Sequence, residues 1–147
     1  PGNQVTYREA DKDFNRLNHF KVEEAGEKVA ILALGDFYQR GEQLSAKIKA
    51  ELGFTPTLIN PRFASGIDKE LLESLSERHQ MVITMEDGIL SGGFGEKIAS
   101  FYGSSDMKVK NYGLEKKFYD RYDPNELLKE VGMTPAQIIA DICNQLK

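Results

Sequence analysis

The segment that most constrains the fold runs Gln80-Met-Val-Ile-Thr-Met-Glu86-Asp87-Gly88-Ile-Leu-Ser-Gly92-Gly93-Phe94-Gly95-Glu-Lys-Ile-Ala. A short apolar run ends in two acids, and glycines then open a helical pattern. A continuous apolar run bounded by turn residues reads as a strand buried on both faces, the kind found in parallel sheets. Acids at the carboxyl end of such a strand face the crevice where open α/β sheets bind ligands or partners.

The rest of the chain repeats the alternation. Lys28 to Leu34 is a second apolar run, closed by Gly35. Phe37, Leu44, Ile48 and Leu52 then recur at helical spacing, with Gly53 placed to cap the helix end. Thr55 to Asn60 reads as a strand, with Pro56 tolerable only near its start. Asp68 is placed as the N-cap of a helix whose buried stripe is Leu71, Leu72 and Leu75. Met107 to Tyr112 alternates apolar and polar residues, as a half-exposed strand near a sheet edge does. Two further helices are predicted in the tail, over Asp123 to Gly132 and from Thr134, each with a capping residue followed by proline. These units predict a three-layer α/β/α domain with a mainly parallel (mixed) sheet of about five strands. The domain spans residues 28–147, and the polar, aperiodic residues 1–27, opening Pro1-Gly2-Asn3, read as a linker from a preceding domain or as a processed terminus.

Composition bounds what such a domain does. A chain of 147 residues, 40% hydrophobic and 29% charged, supports one core. A net charge of -4 argues against a dedicated nucleic-acid surface, which needs clustered Lys and Arg. Lys108, Lys110, Lys116, Lys117 and Arg121 do interleave with Tyr112, Phe118, Tyr119 and Tyr122, but Asp106, Glu115, Asp120 and Asp123 sit among them, so a solvated face is expected. No apolar run approaches the roughly 18 residues that span a bilayer. The single cysteine, Cys143, falls at an apolar position of the last helix and is expected to be a buried core thiol in a reducing, cytoplasmic setting.

No complete active site is legible. Gly92, Gly93 and Gly95 would let a backbone approach a phosphate, but the dinucleotide fingerprint fails at Ile98, where its third glycine belongs, and no Walker loop occurs. Close packing of helix on strand, or of subunit on subunit, is the simpler role for these glycines. Glu86 and Asp87 are adjacent, so on a strand their side chains point oppositely and form no shared-proton pair. One of them is a candidate for partial desolvation and pairing, with a base from a partner domain or with Arg62 on the neighbouring strand-end loop. His19 lies in the polar opening segment, and His79 follows a helix end, where a cation is favoured. Neither has a sequence partner resembling a metal or nucleophile constellation.

The order Val29-Ala-Ile-Leu-Ala-Leu-Gly35, Pro61-Arg62-Phe63 with Ile67-Asp68, Thr84-Met-Glu86-Asp87-Gly88, then Gly92-Gly93-Phe94-Gly95 resembles the C-terminal domain of transketolase-type enzymes. Asn111-Tyr112-Gly113-Leu114, Phe118 and Asn125-Glu-Leu-Leu-Lys-Glu-Val-Gly132 sharpen the likeness toward 1-deoxy-D-xylulose 5-phosphate synthases. The likeness covers nearly the whole chain. It departs from the family pattern after Arg62-Phe63, where the Lys-Pro pair is replaced, at Glu86-Asp87-Gly88, and at Gly113-Leu114-Glu115-Lys116. The resemblance implies the third domain of a homodimeric enzyme dependent on thiamine diphosphate and Mg2+. That enzyme condenses pyruvate with glyceraldehyde 3-phosphate, releasing carbon dioxide. It further implies that the preceding domains hold the cofactor and metal, and that this domain supplies packing and dimer contacts without catalytic residues. Arg62, Glu86, Asp87, Gly92, Gly93 and Gly95 would then lie at the interdomain or dimer edge. The equivalent domain of a transketolase subunit or an oxo-acid dehydrogenase component, and a free-standing interaction domain, are the alternatives.

Overall fold

A computed structural model describes residues 19–62, 66–87, 93–114 and 134–146. The predicted helix over Asp123 to Gly132 lies outside these residues, as do Gly92, Lys116, Lys117, Phe118, Tyr119, Arg121 and Tyr122. Among the described residues five strands form one sheet: β1 (Lys21–Glu24), β2 (Lys28–Ala33), β3 (Thr57–Asn60), β4 (His79–Asp87) and β5 (Lys108–Leu114). Their order is β1-β3-β2-β4-β5. Only β1 runs antiparallel to its neighbour; the other pairs are parallel. The helices are α1 (Tyr38–Leu52), α2 (Lys69–Leu75), α3 (Phe94–Tyr102) and α4 (Pro135–Gln145).

Alternation along the buried strands divides the core in two. Val29, Ile31 and Ala33 of β2, with Met81, Ile83 and Met85 of β4, meet Leu44 and Ile48 of α1 and Ile138, Ile139 and Ile142 of α4. Ala30 and Leu32, with Val82, face the other way onto Leu72 and Leu75 of α2 and Ile98 and Tyr102 of α3. Helices therefore cover both faces, giving the expected three layers. Fully burying a side chain such as Ile31 or Ile83 contributes about 1.5–3 kcal/mol.

The helix ends follow the local chemistry. Gly53 takes a left-handed conformation (φ 79°) after α1. Asp68 caps α2 by accepting from the Leu71 amide. Thr134 and Gln137 form a reciprocal capping box at α4, with Pro135 in the first turn.

Three features differ from the sequence reading. The sheet reaches back to Lys21, inside the segment taken as linker, because β1 adds to the edge of β3 through backbone pairing, with its side chains half-buried. Two extra residues extend β4 to Asp87, since β5 pairs alongside as far as Leu114. Cys143 is exposed: the buried stripe of α4 is Ile138, Ile139 and Ile142, and one further residue turns the side chain about 100° away.

Candidate functional site

β2 is the topological pivot, because α1 leads from it to β3 on one side while β4 and β5 lie on the other. At its carboxyl end the Leu34 amide donates to the Met85 carbonyl at 2.8 Å, and Gly35 (φ 61°) turns the chain into a 3-10 turn over Gly35–Phe37. The neighbouring carboxyl ends of β4 and β5 carry the polar residues of the candidate site.

Glu86, 7% exposed, stands on β4 one step before the strand ends. Its Oε2 accepts the Gly95 amide at 2.5 Å, so a carboxylate closes one of the unsatisfied donors in the first turn of α3. Gly93 sits before the helix at φ 97°, a conformation that favours glycine. Gly95 is required by space. A Cβ there would lie 2.8 Å from Asn111 Cγ and 2.9 Å from Glu86 Oε2. Gly113, paired with Glu86 across the ladder, is also crowded, with a Cβ meeting the Glu86 carbonyl at 3.3 Å.

Thr84, fully buried two residues before Glu86 on the same face, donates its hydroxyl to Asn111 Oδ1 at 2.6 Å. Thr84 and Asn111 are ladder partners. The structure thus brings Glu86, Gly93 and Gly95 together and adds Thr84, Asn111 and Gly113, which the sequence reading did not single out. The signal was present at Thr84, a hydroxyl inside an apolar run that needs a partner once buried; Asn111, exposed on β5, supplies it.

Arg62 falls elsewhere. It follows β3, which β2 separates from β4, and takes a left-handed backbone (φ 70°) while its amide donates to Asn60 Oδ1 at 3.0 Å. Its guanidinium donates to the His19 carbonyl at 2.7 Å. Asp87 contributes the last rung of β4 opposite Leu114.

Neither histidine stands without a partner. His19 Nδ1 donates to Asp68 Oδ2 at 3.2 Å. His79 departs from the expected cation. Its Nδ1 donates to the Leu75 carbonyl at 2.9 Å, so its Nε2 accepts from the Thr57 hydroxyl at 2.7 Å, and Thr57 Oγ1 in turn accepts from the Gly26 amide. Burial lowers the His79 pKa, the Leu75 carbonyl opposes that shift and Arg78 adds to it. Burial likewise raises Tyr102, whose hydroxyl donates to the Leu72 carbonyl, and Tyr112, whose hydroxyl donates to Asp141.

Chemically, the Glu86 cluster is a clasp between two strands and the start of a helix. It sets the position of the chain at the sheet's carboxyl edge. Among the described residues no three His, Cys, Asp or Glu side chains converge as metal ligands.

Comparison with known proteins adds the following. The family described as the transketolase C-terminal domain matches residues 18–138. A 1-deoxy-D-xylulose-5-phosphate synthase of Shouchella clausii is 32% identical over 92% of this chain and 22% of its own length. A counterpart in Prochlorococcus marinus is 31% identical over 97% of this chain and 22% of its own. That of Clostridium perfringens is 38% identical over 77% and 18%. The chain spans about a fifth of the length of these curated relatives. Among solved structures, a split-gene transketolase, described as an inactive β4 tetramer, superimposes with a TM-score of 0.71 at 25% identity, over 88% of this chain and 42% of that one. A 2-oxoglutarate:ferredoxin oxidoreductase from Magnetococcus marinus shares the fold at a TM-score of 0.50 and 15% identity, over 88% and 22%.

Proposed function

The chain belongs to the transketolase C-terminal domain family, and from that premise we propose that it is the third domain of a 1-deoxy-D-xylulose-5-phosphate synthase. The full enzyme would condense pyruvate with glyceraldehyde 3-phosphate, giving 1-deoxy-D-xylulose 5-phosphate and carbon dioxide, in the cytoplasm and as a homodimer. The observation that carries this reading is the alignment with synthases of that name over 77% to 97% of the chain.

Thiamine diphosphate and Mg2+ would be held by preceding domains, which residues 1–18 would join to this one. The cofactor supplies carbanion stabilisation when bound. This chain's own residues would shape and pack an edge. In that role Glu86 and Gly95 would hold the start of α3 against β4 and β5, with Gly93 and Asp87 at the same edge and Arg62 after β3, two strands away. The edge would face a preceding domain or the partner subunit, without itself performing catalysis.

The test is carbon dioxide release from pyruvate by the full-length parent protein loaded with thiamine diphosphate and Mg2+, with and without glyceraldehyde 3-phosphate. Acceptor-dependent release is expected. Folded, cofactor-loaded protein that releases none under either condition would overturn the reading. The superposition on a split-gene transketolase favours one second reading, a transketolase subunit. It would transfer a ketol unit from a ketose donor without carbon dioxide release, so the donor separates the two.

A further inference from the structure

The chain enters the described domain at His19 and Phe20, and both residues are fastened before β1 begins. Asp68, 5% exposed, does more than cap α2. Its Oδ1 accepts the Leu71 amide at 3.2 Å, while Oδ2 accepts both the Phe20 amide at 3.0 Å and His19 Nδ1 at 3.2 Å. From the other side the Arg62 guanidinium holds the His19 carbonyl. Arg62 does this from a left-handed backbone (φ 70°) that residues other than glycine rarely adopt. Strain at a residue whose side chain reaches back over 43 positions is retained only where the surrounding contacts over-determine it.

The Phe20 side chain, 6% exposed, then lies 6.0 Å from the Phe94 ring, centroid to centroid and tilted at 60°. Phe94 is the first residue of α3, between Gly93 and the Gly95 amide that Glu86 accepts. A hollow of about 240 Å3 lined by His19, Asp68, Glu70, Leu71 and Ser74 lies beside the Asp68 bonds and gives water a path to them. We propose that His19–Phe20 is a strap: clasped by Asp68 and Arg62, it couples the direction of the incoming chain to the start of α3, and it opens without opening the sheet core.

The inference rests on the reading above only for what the strap connects to. If residues 1–18 lead to cofactor-binding domains, a movement of those domains reaches the Glu86 clasp through Phe20 and Phe94. The ladder between β2 and β4 is held by its own backbone pairing and buried side chains, so partial release of the strap is a local event of the kind amide exchange resolves.

The test is amide hydrogen exchange of the full-length protein, comparing wild type with Asp68→Ser and Arg62→Leu. Serine keeps a helix cap for the Leu71 amide but is too short to hold Phe20 and His19 as well. Arg62→Leu leaves Asp68 untouched. Each variant is expected to speed exchange of the Phe20 amide at least tenfold and of the Gly95 amide several-fold, with Ile31 and Ile83 unchanged. Three outcomes overturn the proposal: an unchanged Phe20 amide, a faster Phe20 amide beside an unchanged Gly95, or a uniform rise that includes the core strands. Exchange needs no turnover, so the result stands apart from whether the parent releases carbon dioxide.

Discussion

At the scale of single residues, space and solvation decide most of what these side chains do. Gly95 has no room for a methyl group, because a Cβ would press on Asn111 and Glu86 at 2.8 to 2.9 Å and weaken the bond that seats α3. Gly95→Ala is expected to cost about 1–3 kcal/mol, the range for an overpacked site, read from the shift of the denaturant midpoint. Asn111→Ala in the same chain should recover part of that loss, and no recovery would show that the Glu86 carboxylate rather than Asn111 is the obstacle. His79 gives a pH signature. Its folded pKa is lowered, chiefly by burial, while the unfolded imidazole takes up a proton near the ordinary value of about 6.5. Above that pH both states are neutral and the contribution is full. Below it the unfolded state binds more protons, so stability falls as the pH drops toward the folded pKa. Wild type should lose more stability than His79→Gln between pH 7.5 and 5.5, and parallel losses would refute the neutral, two-bonded ring. The sequence shows that Glu86 sits at a strand end and that Asp68 caps a helix, because both follow from local spacing. It does not show that His79 is neutral or that Cys143 faces water, because those depend on what the fold brings alongside.

Elements vary in how openly their sequences declare them. Helix α4 is announced by Thr134-Pro135 and by Gln137 three residues past the cap, and the structure forms the full reciprocal box. Thr134→Ala is expected to cost about 1 kcal/mol and to fray the first turn, measurable as faster exchange at the Gln137 and Ile138 amides. Full protection at those amides would mean that packing of Ile138 and Ile142 alone holds the turn. Strands β2 and β4 are equally plain, since continuous apolar runs leave few options but burial on both faces. β1 is the opposite case. Its four residues, Lys21-Val-Glu-Glu, carry little apolar signal, and what makes them a strand is the free edge of β3, distant in the chain. α3 lies between these extremes: its glycines signal a close approach, but not that a carboxylate from β4 and an amide side chain from β5 are what it approaches.

For the molecule as a whole, the alternation of strands and helices is enough to give the layers and the mainly parallel sheet, whereas the strand order is a property of packing that no local pattern states. The family match over residues 18–138 adds what no local pattern states, the kind of domain to which this sheet belongs. The order β1-β3-β2-β4-β5 also bears on how the chain is made. A ribosome delivers the amino-terminal side first. Yet β1 has no ladder until β3 exists, and Phe20 has no ring to rest on until Phe94 has been added. Of the described residues, those synthesised earliest are therefore seated among the last. Any domain that precedes His19 completes its own translation well before its junction with this one can set, leaving the two to fold as separate bodies and dock afterwards.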